Sequence, residues 1–151
     1  MQKIVPFLWF DHEAEEATLF YTSLFKDSKV NSIDRLGDGR VMSTSFTLNG
    51  QQFYALNGGP LFHFTEAVSL FINCVDQAEV DLLWEKLSEG GQKSRCGWLK
   101  DKYGLSWQVI PTVLNELLRD KDPAKAGRVM QAMMKMDKII VADLQKAYDG
   151  N

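Results

Sequence analysis

The feature that most constrains this chain is a plan that occurs twice, about 63 residues apart. Ala17, Phe20, Tyr21 and Leu24 superpose on Val80, Leu83, Trp84 and Leu87. Both sets recur at i, i+3, i+4 and i+7, the spacing of one helix face. Each helix follows a short apolar run of β-formers, Ile4 to Phe10 and Val68 to Val75, and each precedes several short strands. Internal duplication is the simplest cause of so much shared order. Two unrelated amphipathic helices would leave the matching strand order unexplained.

Local signals give the elements. Asp11 is a candidate N-cap, followed by Glu13, Glu15 and Glu16, where the helix dipole favours acids. The helix face then runs Ala17, Phe20, Tyr21, Leu24, Phe25. Strands are predicted over Val30 to Arg35, Val41 to Leu48 and Gln51 to Leu56, with turns at Gly37-Asp38-Gly39 and Asn49-Gly50. In the second copy Asp76-Gln77-Ala78-Glu79 resembles a capping box, and Gly90-Gly91 ends the helix. Short strands follow near Lys93 to Cys96, Trp98 to Lys100 and Leu105 to Ile110. Asp101 and Gly104 suit the first and last positions of the tight turn between the last two. In the final strand Leu105, Trp107 and Val109 take one face, and Ser106, Gln108 and Ile110 the other. After Pro111 the chain turns helical: Val113, Leu114, Leu117 and Leu118 form one face, Asp122-Pro123 opens a second helix, and Asp143 to Tyr148 forms a last one. This tail is expected to cover a sheet edge or build a dimer contact.

At 151 residues the chain suits one domain or two small fused modules, and 45% apolar with 25% charged residues is ordinary for a globular protein. A net charge of −3 without a basic block argues against a nucleic-acid surface. No apolar run reaches the roughly 18 residues of a membrane span. The start, Met1-Gln2-Lys3-Ile4-Val5-Pro6, lacks the long apolar stretch of a signal peptide. Cys74 and Cys96 are far apart and outside any CxxC, so reduced thiols and a cytoplasmic setting are expected.

Several strings carry a resemblance. They are Asp11-x-x-Ala14-Glu15-Glu16-Ala17-x-x-Phe20-Tyr21, Ala55-Leu56-Asn57-Gly58-Gly59-Pro60, Asp76-Gln77-x-Glu79-Val80-Asp81 and Cys96-Gly97-Trp98-Leu99-Lys100-Asp101. To these are added Gly104-Leu105-Ser106-Trp107-Gln108 and Arg128-Val129-Met130-x-Ala132-Met133. Two β-α-β-β-β modules with these strings resemble the vicinal oxygen chelate superfamily of glyoxalases, bleomycin-resistance proteins and extradiol dioxygenases. Within it the chain is similar to the PhnB-like, or 3-demethylubiquinone 3-methyltransferase-like, branch.

The resemblance implies an α+β fold: two tandem βαβββ modules forming a cupped mixed sheet, plus C-terminal helices. It implies one glyoxalase-like domain over 1–151, with modules 3–57 and 68–111, a connector 58–67 and a helical tail 112–151. It also implies four strand positions that often carry a divalent metal through His, Glu or Gln. Registered on the Phe20-Tyr21 helix, these fall at Pro6, Ala55 (with Asn57 on the same face), Ser69 and Gln108. Pro, Ala and Ser do not replace imidazole or carboxylate, so no metal and no other cofactor are expected. The methyltransferase label raises no expectation of that activity, because the chain has no glycine-rich strand-to-helix turn of the Rossmann type.

Several residues are candidates for chemistry. His12, at the start of the first helix, reads as an exposed polar residue. His63 and Glu66, spaced HxxE, read either as a solvated connector or as an acid/base or metal-ligating pair. Cys74 shares a face with Leu70 and Ile72 and is expected to be buried and inert. Trp84 and Trp107 read as core, whereas Trp98 is the better pocket or interface candidate. The methionines Met130, Met133, Met134 and Met136 read as packing or as an adaptable dimer contact. The first expectation is a metal-free, small-molecule-binding homodimer with no nucleic-acid or membrane partner. Its walls would be Phe10, Phe53, Phe62, Phe64, Phe71 and Trp98, and Asn57, Asn73 and Gln108 would orient an aromatic or amphipathic ligand. The alternative is an enzyme of isomerase, lyase or dioxygenase type using His63 and Glu66. A third possibility is a structural protein whose cup is filled by its own side chains.

Overall fold

In the computed structural model, which describes residues 1–151, the repeat in sequence is a repeat in topology. The first unit, Met1–Phe64, contains β1 (Phe7–Phe10), α1 (Ala14–Leu24), β2 (Lys29–Arg35), β3 (Val41–Leu48) and β4 (Gln51–Asn57). The second unit, Thr65–Asn151, begins with β5 (Ser69–Cys74), α2 (Gln77–Ser88), β6 (Gln92–Lys93), β7 (Trp98–Lys100) and β8 (Ser106–Pro111). It ends with α3 (Thr112–Leu118), α4 (Pro123–Met134) and α5 (Val141–Asp149). The strand orders are β1-β4-β3-β2 and β5-β8-β7-β6. In each sheet the first and last strands in sequence pair in parallel, and every other pair is antiparallel. The fold is therefore α+β, with two mixed sheets of the same connectivity.

In the first unit, strand alternation decides which face α1 covers. Thr44, Phe46 and Leu48 of β3, Phe53 and Ala55 of β4, and Leu8 and Phe10 of β1 are all buried. The buried side of α1 comprises Ala14, Ala17, Thr18 and Tyr21. Thr18 and Thr44 satisfy each other's buried hydroxyls at 2.7 Å. Phe46 stacks on Phe53 with centroids 5.4 Å apart. Asn49 and Gly50 both have positive φ, 47° and 83°, as the predicted type I′ turn requires.

Two expected boundaries shift. The first strand starts at Phe7 rather than Ile4, which is 86% exposed. Pro6 just before it has no N–H to pair, although its carbonyl accepts from Tyr54 N at 3.0 Å. The N-cap of α1 is Glu13, not Asp11. The chain has not yet turned at Asp11, because Phe10 and Asp11 still offer carbonyls to the N–H groups of Gly58 and Gly59. The capping acceptor comes instead from β4: Asn57 Oδ1 accepts from Ala14 N at 2.8 Å.

In the second unit the cap is as predicted. Asp76 Oδ1 accepts from Glu79 N at 2.9 Å, and Glu79 reaches back to Val75 N at 3.2 Å. Val80, Leu83, Trp84 and Leu87 are buried with Leu99, Trp107 and Val109. The turn between β7 and β8 is organised by Asp101, only 2% exposed. Its Oδ1 accepts from Tyr103 N and Leu105 N (2.9 and 3.0 Å), and its Oδ2 from the Trp107 indole (2.9 Å).

The strand expected over Lys93 to Cys96 is only Gln92–Lys93. Cys96 and Gly97 both adopt left-handed φ, 57° and 82°. Their N–H groups turn to the carbonyls of Met136 and Asp137, each at 2.8 Å. Gly97 is required there, since a Cβ would lie 2.7 Å from Ile110 Cδ1. The tail thus packs within its own unit. Ile110, Leu114, Val129, Ile139 and Leu144 form a buried cluster, and Met133, Met136 and Tyr148 pack against it. Gln77 ties the segment to α2, donating to Ile139 O (3.0 Å) and accepting from Val141 N (2.7 Å). No helix is long and apolar enough to cross a membrane.

Candidate functional site

The sheet of the second unit has one face against α2 and one that is only partly covered. Register builds the open face in rows. Gln92, Lys100, Ser106 and Ser69 are successive cross-strand partners. The next row contains Trp98, Gln108 and Phe71, also paired strand to strand. Ser94 joins this row through its N–H to the Trp98 carbonyl at 2.9 Å. One row further, Ile110 disappears under the C-terminal helices. The tail therefore closes one end of the face and leaves the first two rows open.

A cleft of about 470 Å³ lies over these rows. Gln92, Lys100 and Ser106 line it from the first row, Ser94 and Trp98 from the second. Arg95 and Cys96 line it from the β6–β7 loop, and Glu66 from the segment before β5. The Lys100 ammonium is 2.7 Å from a Glu66 carboxylate oxygen. That hydrogen bond, and then the charge of Lys100, hold the Glu66 carboxyl below its ordinary range. Arg95 meets Asp137 at 3.6 Å, both side chains well exposed. Ser106 is fully buried, and its Oγ has no hydrogen-bond partner. A buried hydroxyl without a partner costs about 1–3 kcal/mol.

The expected site residues are scattered over several environments. Trp98 and Glu66 line the cleft. Gln108 lies beside Trp98 and donates to Ser69 Oγ at 2.9 Å. Phe71 and Asn73 are exposed on the same sheet face. Phe10 and Phe53 are core residues of the first unit, 2% and 5% exposed. Phe64 packs edge-on against Phe10, and Phe62 edge-on against Trp9. Both polar ends of the Asn57 amide are engaged, by Ala14 N and by the Val41 carbonyl. His63 is exposed and belongs to the first unit, whereas Glu66 belongs to the second and is held by Lys100. His12 is exposed beside Asp11 and Glu13, and these three surface groups come within 4.8 Å of one another.

The strand positions associated with a metal can now be tested against pleat. Ala55 is fully buried and pairs with Thr44, whose hydroxyl meets Thr18 of α1. Ala55 therefore faces the helix, and the open side of β1 and β4 presents Phe7, Trp9, Tyr54 and Leu56 instead. In the second unit the corresponding residues are Ser69 and Gln108, already bonded to each other. Neither set offers the imidazole and carboxylate donors that hold a divalent ion, so the residues do not fit one. The sequence marked Ser106 as part of a polar strand face. It gave no sign that Arg95 and Cys96 would line the same cleft, because that depends on the left-handed loop and the docked tail.

Two units with one β-α-β-β-β connectivity, each sheet covered by its helix on one face, define the vicinal oxygen chelate class of glyoxalase and bleomycin-resistance folds. The family model described as 3-demethylubiquinone-9 3-methyltransferase matches residues 2–110. The chain belongs to that family. It is 40% identical to the PhnB protein of Bacillus cereus, covering 73% of this chain and 99% of that one, with a TM-score of 0.70. A protein of Pseudomonas aeruginosa shares the fold at 21% identity, with 74% and 98% covered and a TM-score of 0.59. The fosfomycin resistance protein FosX of Listeria monocytogenes, solved with Mn(II) and 1S,2S-dihydroxypropylphosphonic acid, also shares it. That similarity is 15% identity over 71% of this chain and 90% of FosX, with a TM-score of 0.50. No curated protein matches.

Proposed function

We propose that this protein binds a small organic molecule in the cleft on the open face of the second unit's sheet, and does so without a metal. The observation that carries this reading is the Ser106 hydroxyl, fully buried, without a partner, and lining a cleft large enough for a metabolite. Trp98 supplies an aromatic wall, and Lys100 and Arg95 supply charge at the rim. The metal-free part rests on the open-face residues Phe7, Trp9, Tyr54, Leu56, Ser69 and Gln108, which include no imidazole and no carboxylate. Methyl transfer is not part of the proposal. The Rossmann way of holding a nucleotide-type cofactor, a glycine-rich strand-to-helix turn in a parallel sheet, has no counterpart in sheets with a single parallel pair.

Ser106→Ala tests the reading in two directions at once. The variant removes an unsatisfied buried hydroxyl, so the unliganded protein should melt at the same temperature or higher. Fragments that stabilise the wild type in a thermal-shift screen should stabilise the variant less. Their effect should survive EDTA treatment, with elemental analysis confirming that no metal remains. A screen with no stabilising fragment, or hits that vanish on chelation, refutes the proposal.

A further inference from the structure

We infer that the ligand class for this cleft is a small carboxylate carried on a flat ring, and that Glu66 is its built-in competitor for Lys100. The inference rests on the cleft being the binding site, as proposed above. A carboxylate already sits at the rim: Glu66 offers its oxygen to the Lys100 ammonium at 2.7 Å. That carboxylate is weakly anchored. Glu66 lies outside the regular elements, before Ser69 opens β5, and its side chain is 61% exposed. The second cation has a partner that is equally loose, since Arg95 and Asp137 are 71% and 61% exposed. Exposed ion pairs of this kind contribute little to stability, so an incoming carboxylate displaces them readily.

The remaining features set the rest of the ligand. Ser106 is the cross-strand partner of Lys100, and both line the same cleft. A carboxylate on Lys100 would accept a charge-assisted bond, and one that also reached Ser106 would take its unmade bond. One row on, the half-buried Trp98 ring presents a flat apolar wall to whatever carries that carboxylate. Among the cleft's side chains Arg95 and Lys100 are cationic and Glu66 alone is anionic, so an amine would be disfavoured.

Benzoate, benzamide and benzylamine are suitable probes, because they share a ring and differ in charge. Binding to the full chain is read from the Trp98 indole N–H signal, assigned with Trp98→Phe, at pH 7 and low salt. Benzoate should bind at least roughly tenfold more tightly than benzamide, and benzylamine should not bind. Glu66→Gln should tighten benzoate several-fold and leave benzamide unchanged, whereas Lys100→Met should weaken benzoate about tenfold. Glu66 and Lys100 are surface residues, so both variants are expected to fold, with circular dichroism as the check. Equal binding of benzamide and benzoate, with no effect of Glu66→Gln, overturns the carboxylate inference and leaves the cleft as a binding site. If no probe moves the indole signal and no fragment stabilises the protein, the site itself is refuted.

Discussion

Removing the Asp101 carboxylate is the most quantitative test of how the second sheet is held. Its two oxygens accept from Tyr103 N, Leu105 N and the Trp107 indole at 2.9, 3.0 and 2.9 Å. Two of these bonds are buried, and the Tyr103 amide is partly accessible. Leaving a buried donor unmade costs about 1–3 kcal/mol, so the two buried donors cost roughly 3 kcal/mol and the third about 0.5. Asp101→Ala also relieves the desolvation of a buried carboxylate, which offsets part of that sum. A net loss of about 2–3 kcal/mol is expected, a large share of the ~5–15 kcal/mol that holds a domain of this kind. Asp101→Asn keeps one oxygen for the two backbone donors but turns an amide N–H₂ toward the indole N–H, for an expected loss of about 1.5–2.5 kcal/mol. Replacing Trp107 with Phe removes the opposed donor. The Asn substitution should then cost about 1 kcal/mol less in the Trp107→Phe background than in the wild type. Urea unfolding followed by circular dichroism gives each value from the midpoint and slope. A loss below about 1 kcal/mol for Asp101→Ala, or no coupling between Asp101 and Trp107, would show that the carboxylate is not what organises this turn.

Three further outcomes follow from the geometry. Burial, with smaller contributions from Glu79 and Asp76, pushes the Cys74 thiol up to about 12, while Cys96 is half-buried on the cleft. Ellman's reagent at pH 8 should therefore modify Cys96 alone in the native protein and both thiols in urea. By linkage, the stability that Cys74 contributes is fully present below the ordinary thiol range and is lost as pH rises from there towards about 12. Asn57→Ala removes the acceptor for Ala14 N and the donor to the Val41 carbonyl, and should cost about 1–2 kcal/mol in chemical denaturation; no change would mean α1 is capped by other means. Gln77→Ala breaks both ties to the tail, and hydrogen exchange should accelerate over 136–149 while β3 and β4 are unaffected. Uniform acceleration across the chain would instead indicate global destabilisation.

The elements and their order are legible in the chain, because they depend on local chemistry and periodicity. The helix faces at Ala17 and Val80, the Asp76 cap, the Asn49-Gly50 turn and the alternation of β8 are all set by neighbours within a few residues. The repeat added the topology, since a second copy of one pattern must solve the same packing problem in the same way. Which face of β4 meets the helix was not available from sequence, because a shift of one residue moves every side chain of a strand to the other face. That is why Ala55 lies against α1 and Tyr54 and Leu56 take the open side, and why Asn57 serves as a helix cap rather than as a group aimed outward. The cleft needed more still. Ser106 is alone only because nothing across the strands reaches it. Lys100 joins its cleft through hairpin register, but Arg95 and Cys96 line it because residues 96–97 turn left-handed to bond a tail more than 35 residues later in the chain, at Met136 and Asp137. Local propensity carries no information about contacts at that separation, so where the second unit is open follows from long-range packing.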